Sequence, residues 1–156
     1  MKSKYRSSWA LLLSLFILSG CTVQLVSDYD SRTDQSISSI RAQLTNLFFE
    51  LEEQQKDESK CTYENHSGQY KQLWVDMELM AMRERTKSNN DKTKQMVEVL
   101  DEGLKKLQKT HKKGCLNRLQ IRFINKSLTG LLDSILRFEI AKLRGAVKPV
   151  LLPTSR

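Results

Sequence analysis

Two short stretches of this chain bring together the residue types that most often do chemistry: Cys61 with His66, and His111 with Cys115, which include every His in the sequence. Thiolate and imidazole are ligands that zinc accepts, so two Cys and two His gathered at one place could hold the ion tetrahedrally. Neither stretch has the tight Cys-x₂-Cys spacing of strong zinc motifs, and the same sulfurs could pair as a disulfide or remain free thiols. Oxidation would remove the thiolates that a metal needs. Each His on its own reads as a solvated residue near a helix end.

Catalytic patterns are otherwise sparse. The Glu-x-x-His pairs of helical metalloenzymes are absent, as are a glycine-rich phosphate loop, the Cys-x-x-Cys-His of attached haem and a Gly-x-Ser-x-Gly elbow. Glu50, Glu52 and Glu53 read as a solvated helix face. Met77, Met80, Met82 and Met96 suit core packing better than metal ligation. The expectation is a non-enzyme with no cofactor and no bound metal.

Two groups of residues could instead meet a partner. Lys105, Lys106, Lys109, Lys112, Lys113, Arg118 and Arg122 crowd one helix junction. Cations near a helix C-terminus complement its dipole, so part of this charge is ordinary, and the rest could dock an anionic envelope polymer or an acidic protein. The second group is apolar. Val75, Leu79 and Met82 lie off the main stripe of one helix, as Leu132, Leu136 and Leu143 do on another, and such a face would serve a protein partner or a second copy of the chain. A wide core stripe would explain them equally well.

Four amphipathic segments position these residues. The first spans about Asp34 to Asp57, with Ile37, Ile40, Leu44, Leu47, Phe48 and Leu51 at three-four spacing and Asp34 or Thr33 as cap. Ser67 to Ser88 follows, with Tyr70, Leu73, Trp74, Met77 and Ala81 on its stripe. Asp91 to Lys112 carries Met96, Leu100, Leu104 and Leu107, between Asn90 as cap and Gly114 as breaker. The last runs from Cys115 to Arg144 with Leu116, Leu119, Phe123, Ile124, Leu131, Ile135 and Phe138, and Gly130 could bend it. Only two Pro and six Gly interrupt the chain. No segment alternates with the period of a strand, so the spacing predicts an all-α, antiparallel up-down-up-down four-helix bundle.

The N-terminus has another pattern. Lys2, Lys4 and Arg6 precede an apolar run from Trp9 to Leu18, too short at about 15 Å of helix to cross a bilayer, and Ser19-Gly20 supply small residues before Cys21. Leu18-Ser19-Gly20-Cys21 resembles the lipobox of bacterial lipoproteins. The resemblance implies a signal peptide over 1–20 that is removed, acylation of Cys21, a tether over 21–33, a bundle over 34–148 and a tail over 149–156. It also implies a membrane held through lipid. With Thr22 rather than Asp after the Cys, it implies the outer membrane, facing the periplasm. Acyl chains contribute about 0.8 kcal/mol per buried CH₂, so two or three anchor stably.

Removal of the signal segment would leave 23 Lys and Arg against 18 acids, lowering the net charge from +8 to +5. In that compartment nucleic acid is not the expected partner, despite a pI near 9.5. With Cys21 acylated in an oxidising compartment, Cys61 and Cys115 are the two thiols left, and the bundle topology puts both at one end. A Cys61–Cys115 disulfide is the favoured pairing. Asp28-Tyr29-Asp30 with Asp34, Cys115-Leu116, Arg137-Phe138-Glu139 and Lys142-Leu143-Arg144-Gly145 are similar to small helical proteobacterial lipoproteins of unassigned function. That likeness marks Tyr29, Asp30 and Glu139, whose ordinary roles would be capping, solvation and a surface pair with Lys142 or Arg144. The expected function is a lipid-anchored accessory or interaction module of the envelope. A periplasmic small-ligand or metal-binding lipoprotein is the alternative.

Overall fold

A computed structural model describes residues 26–146. Cys21, the segment 1–20 and the tail 149–156 lie outside the described residues, and so do 22–25 of the 21–33 tether and 147–148. Four helices follow one another: α1 (Ser31–Gln54), α2 (Tyr63–Thr86), α3 (Asp91–His111) and α4 (Arg118–Ala146). They pack in the ring α1–α2–α3–α4–α1, an antiparallel four-helix bundle in which α2 lies diagonally across from α4, and α1 across from α3.

Local chemistry sets the helix ends, and three starts differ from the sequence expectation. The carboxylate of Asp30 accepts the Arg32 N–H at 2.9 Å, so α1 is capped four residues earlier than Asp34 and Thr33 is taken into the interior. Helix α2 begins at Tyr63, not Ser67, because Tyr63 and His66 extend the stripe of Tyr70 and Leu73 by one turn and stack beside His111. Helix α4 begins at Arg118, not Cys115. Asn117 Oδ1 accepts the Gln120 N–H at 2.9 Å while Gln120 Oε1 accepts the Asn117 N–H at 2.9 Å, a reciprocal cap that fixes the first turn. Gly114, at φ +148°, makes the break between α3 and α4 that a side chain would strain.

The core fills the space between the four helices with Ile37, Ile40, Leu44, Leu47, Phe48 and Leu51 of α1, Leu73, Met77 and Met80 of α2, Val97, Leu100 and Leu107 of α3, and Ile121, Leu128, Leu132 and Ile135 of α4. Gly103 lets α3 and α4 close together, since a Cβ there would meet the Leu128 side chain at 2.7 Å. Helix α1 presents the face its spacing predicts. Helix α4 is rotated: Leu119 and Phe123, expected inside, are 79% and 77% exposed, and Ile121, Leu128 and Leu132 take their place. The buried stripe continues through Glu139 and Lys142, residues that hydropathy assigns to the surface, so the apolar count pointed to the wrong side. Trp74 is likewise exposed, and Met82 is not core.

Candidate interaction surfaces

At the bundle end where α1 and α3 start and α2 and α4 finish, each helix contributes a buried polar residue: Thr33, Glu84, Thr93 and Glu139, joined by Asn90 and Lys142. An unpaired charge at such a site costs several kcal/mol, so the network must satisfy itself. Lys142 Nζ donates to Glu139 Oε1 at 2.5 Å, Thr93 Oγ1 at 2.9 Å, and Asn90 Oδ1 and Ser27 Oγ at 3.0 Å. Thr93 donates to the same Glu139 oxygen at 3.0 Å. On the other side of Asn90, its amide donates to Glu84 Oε2 at 2.7 Å, while Thr33 and Lys87 donate to Glu84 Oε1 at 2.5 and 2.6 Å. Lys87 also pairs with Asp30 at 2.9 Å. Although burial pushes the Asp30 carboxyl upward, the bonds from Lys87 and the Arg32 N–H hold it below the usual carboxylate range. Glu139 Oε2 is buried without a partner among the described residues.

These positions correct several expectations. Glu139 is 0% exposed and pairs with Lys142 inside the bundle, not on its surface. Asn90 stands at the α3 N-cap but makes no side-chain cap bond, because its amide bridges the two carboxylates' halves of the network. Tyr29 donates to Asp34 at 3.0 Å, tying the segment before α1 to its first turn.

The opposite end holds the Cys and His residues. Cys61 and Cys115 are joined as a disulfide with Cα atoms 5.3 Å apart. His66 and His111 are 3% and 1% exposed, not solvated. A carbonyl only accepts, so the 2.8 Å bond between His111 Nε2 and Cys61 O places the proton on Nε2, and Nδ1 then accepts from Tyr70 O–H at 2.9 Å. Burial lowers the His111 pKa and raises that of Tyr70, which keeps both neutral. His66 Nδ1 faces Gln69 Oε1 at 3.0 Å, and its Nε2 is buried with no partner among the described residues. The rings of Tyr63, Tyr70, His66 and His111 stack within 5.1 to 6.1 Å of their neighbours. This is a packed structural cluster, and among the described residues no group of three or more His, Cys, Asp or Glu is placed to hold a metal.

The expected basic patch is divided. Lys105 is tied to Asp101 at 2.6 Å, Arg118 to Glu52 at 3.3 Å, and Lys112 lies 4.8 Å from the Tyr63 ring centre. Lys106 and Lys109 are exposed on α3 at i and i+3, Lys113 is exposed in the turn just after it, and Arg122 stands on α4. The apolar face is divided too. Val75, Leu79 and Met82 are exposed at i, i+4 and i+7 on α2, and Leu143 is half exposed on α4, but Leu132 is core and Leu136 packs against it. Since α2 and α4 are diagonal, those six residues form no single surface. An open hollow of about 410 Å³ between α1 and α2, lined by Arg32, Ser36, Asp76, Leu79 and Arg83, borders the α2 strip. No family model, curated protein or solved structure matches the chain.

Proposed function

We propose that this protein is a lipid-anchored, non-enzymatic interaction module of the bacterial envelope, held at the outer membrane through Cys21 and presenting its bundle to the periplasm. One observation carries the interaction half of that reading: the exposed strip Val75, Leu79 and Met82 on α2. Three apolar side chains at i, i+4 and i+7 on an outer helix face are the pattern by which a second helix or a sheet edge docks. The anchoring half rests on the Leu18-Ser19-Gly20-Cys21 pattern.

Mass spectrometry of the Cys21 peptide from the full chain tests the anchor, which predicts an acylated N-terminal Cys. A photo-crosslinking side chain at position 79 tests the surface in intact cells. A discrete adduct, lost when Val75 and Met82 are changed to Ser, is the expected outcome. An unmodified Cys21 peptide refutes the anchor, and crosslinks to solvent alone refute the strip.

A further inference from the structure

Helix α4 carries a second outward face of a different kind. Its spacing puts Leu119, Arg122, Phe123, Lys126, Arg137 and Arg144 on one stripe running its full length. Leu119 and Phe123 have the highest exposure of the large apolar side chains described. Arg122, Lys126, Arg137 and Arg144 are exposed and form no ion pair among the described residues. The acids of the helix are both engaged elsewhere: Asp133 pairs with Arg41 of α1, and Glu139 is buried against Lys142. Asp133 stands on the same stripe between Lys126 and Arg137 with its charge matched by Arg41, so the face is net cationic, with Arg122 and Lys126 toward one end, Arg137 and Arg144 toward the other, and two protruding apolar side chains at its N-terminal end.

We infer that this α4 face lies on an anionic phospholipid bilayer surface. The shape favours that occupant. Leu119 and Phe123 stand out from a convex helix rather than line a groove, so they suit a soft interface that closes around them, as amphipathic helices do in the headgroup region. A polysaccharide supplies the negative charge but nothing apolar to receive them. Four free cations match a leaflet rich in acidic headgroups, each favouring it roughly fivefold. Lys106 and Lys109 of neighbouring α3, with Lys113 in the turn after it, add charge at the same end. The chain's path agrees as well. Ser27 is held against Lys142 and Asn90, so the segment leading back to Cys21 leaves the bundle beside the C-terminal part of α4. Resting on the lipid-anchor reading for this one point, the inference has the bundle lying along the membrane, fastened by acyl chains at one end of α4 and by Leu119 and Phe123 at the other. Diagonal α2 then points its apolar strip away from the bilayer.

The test uses the full chain carrying W9F, W74F and F123W, so that the single indole sits at 123, in vesicles of phosphatidylglycerol and, separately, of phosphatidylcholine. A matched protein keeping Trp74 and carrying only W9F reports the α2 side. On phosphatidylglycerol the indole at 123 should shift to the blue, be quenched by brominated acyl chains and lose its quenching by aqueous iodide. These changes should be absent on phosphatidylcholine, and should vanish with R122Q, K126Q, R137Q and R144Q combined or near 1 M salt, where the screening length falls to about 3 Å. Trp74 should stay open to iodide throughout. Equal iodide access at 123 on both vesicles overturns the inference, as does protection that depends only on protein concentration, which would assign the face to a second copy. The mass of the Cys21 peptide in the same sample separates the two readings. An acylated Cys21 with position 123 in water rejects the face and keeps the anchor, whereas an unmodified Cys21 with position 123 in lipid does the reverse.

Discussion

Replacing Lys142 with Met should be the most damaging single change at the polar end of the bundle. The methionine fills similar volume, so the loss is that of an ammonium with four acceptors: Glu139 Oε1, Thr93 Oγ1, Asn90 Oδ1 and Ser27 Oγ. Glu139, fully buried, would keep only the Thr93 hydroxyl, with its Oε2 already lacking a partner. Removing one member of a buried ion pair costs about 3–5 kcal/mol, most of it from stranding the other charge. With a urea dependence of about 2 kcal/mol per molar, the midpoint should fall by roughly 2 M. Urea unfolding followed by far-ultraviolet circular dichroism reads this directly. The double variant E139L/K142M should recover most of the loss, because two apolar side chains strand no charge. A K142M midpoint within a few tenths of a molar of the parent, or a double variant no more stable than the single, would refute the view that Lys142 is there to neutralise Glu139.

Reducing the Cys61–Cys115 bond, which closes a loop of 54 residues, should lower stability by up to about 4 kcal/mol, measured by urea unfolding with and without dithiothreitol. Free thiols titrating in the folded, unreduced protein would contradict that pairing. His111 is held neutral in the fold by burial, so its contribution is complete above the unfolded imidazole pKa of about 6.5 and is lost as pH falls through its lower folded value. H111N should therefore flatten the decline in stability as pH falls below about 6.5, and an unchanged slope would place the titration elsewhere. Leu132→Ala should cost about 2–5 kcal/mol because the side chain is in the core, whereas L119S and F123S should each stay within about 0.5 kcal/mol. The opposite ranking would mean that α4 is turned the other way.

How far these features could be read from sequence depended on whether burial and hydropathy agree. In α1 they do: Ile37, Ile40, Leu44, Leu47, Phe48 and Leu51 are both the apolar stripe and the buried one. In α2 they agree less, because Trp74, Val75, Leu79 and Met82 place apolar side chains outside. In α4 they conflict, since Glu139 and Lys142 occupy the inner face while Leu119 and Phe123 occupy the outer. The signal for the polar network was nonetheless present in spacing. Thr33 precedes Ile37 and Ile40 by three-four steps, Thr93 precedes Val97 and Leu100, Glu84 follows Met77 and Met80, and Glu139 and Lys142 follow Leu132 and Ile135. Each polar residue thus continues a core stripe, and the up-down order sends all five to one end. A cap role for Thr33 and a surface pair for Glu139 and Lys142, each taken alone, hide the layer that they form with Glu84 and Thr93. The His cluster was missed for a related reason: Tyr70 and the Cys61 carbonyl, which satisfy His111, are 41 and 50 residues away from it in the chain.

The two ends of the bundle therefore close by different chemistry, and the difference bears on orientation. At the Cys61–Cys115 end a covalent bond and stacked rings hold α1–α2 and α3–α4 connections together. At the other end a charged layer holds not only the helices but also the chain that enters them. The Ser27 N–H donates to the Asn89 carbonyl at 2.9 Å, and the Ser27 hydroxyl donates to Asn90 at 2.8 Å while accepting from Lys142. Three bonds on one residue hold Ser27 against the start of α3 and the C-terminal part of α4. A lipid on Cys21 would then be joined to a point of the chain, Ser27, that is held beside α4. Under that restraint few rotations bring a face to the membrane, and the one nearest the exit point is the α4 face with its unpaired cations and its two exposed apolar side chains. S27A, which removes the two hydroxyl bonds and leaves the backbone bond to Asn89, should loosen this attachment without unfolding the bundle, read as faster amide exchange at position 27 with an unchanged urea midpoint.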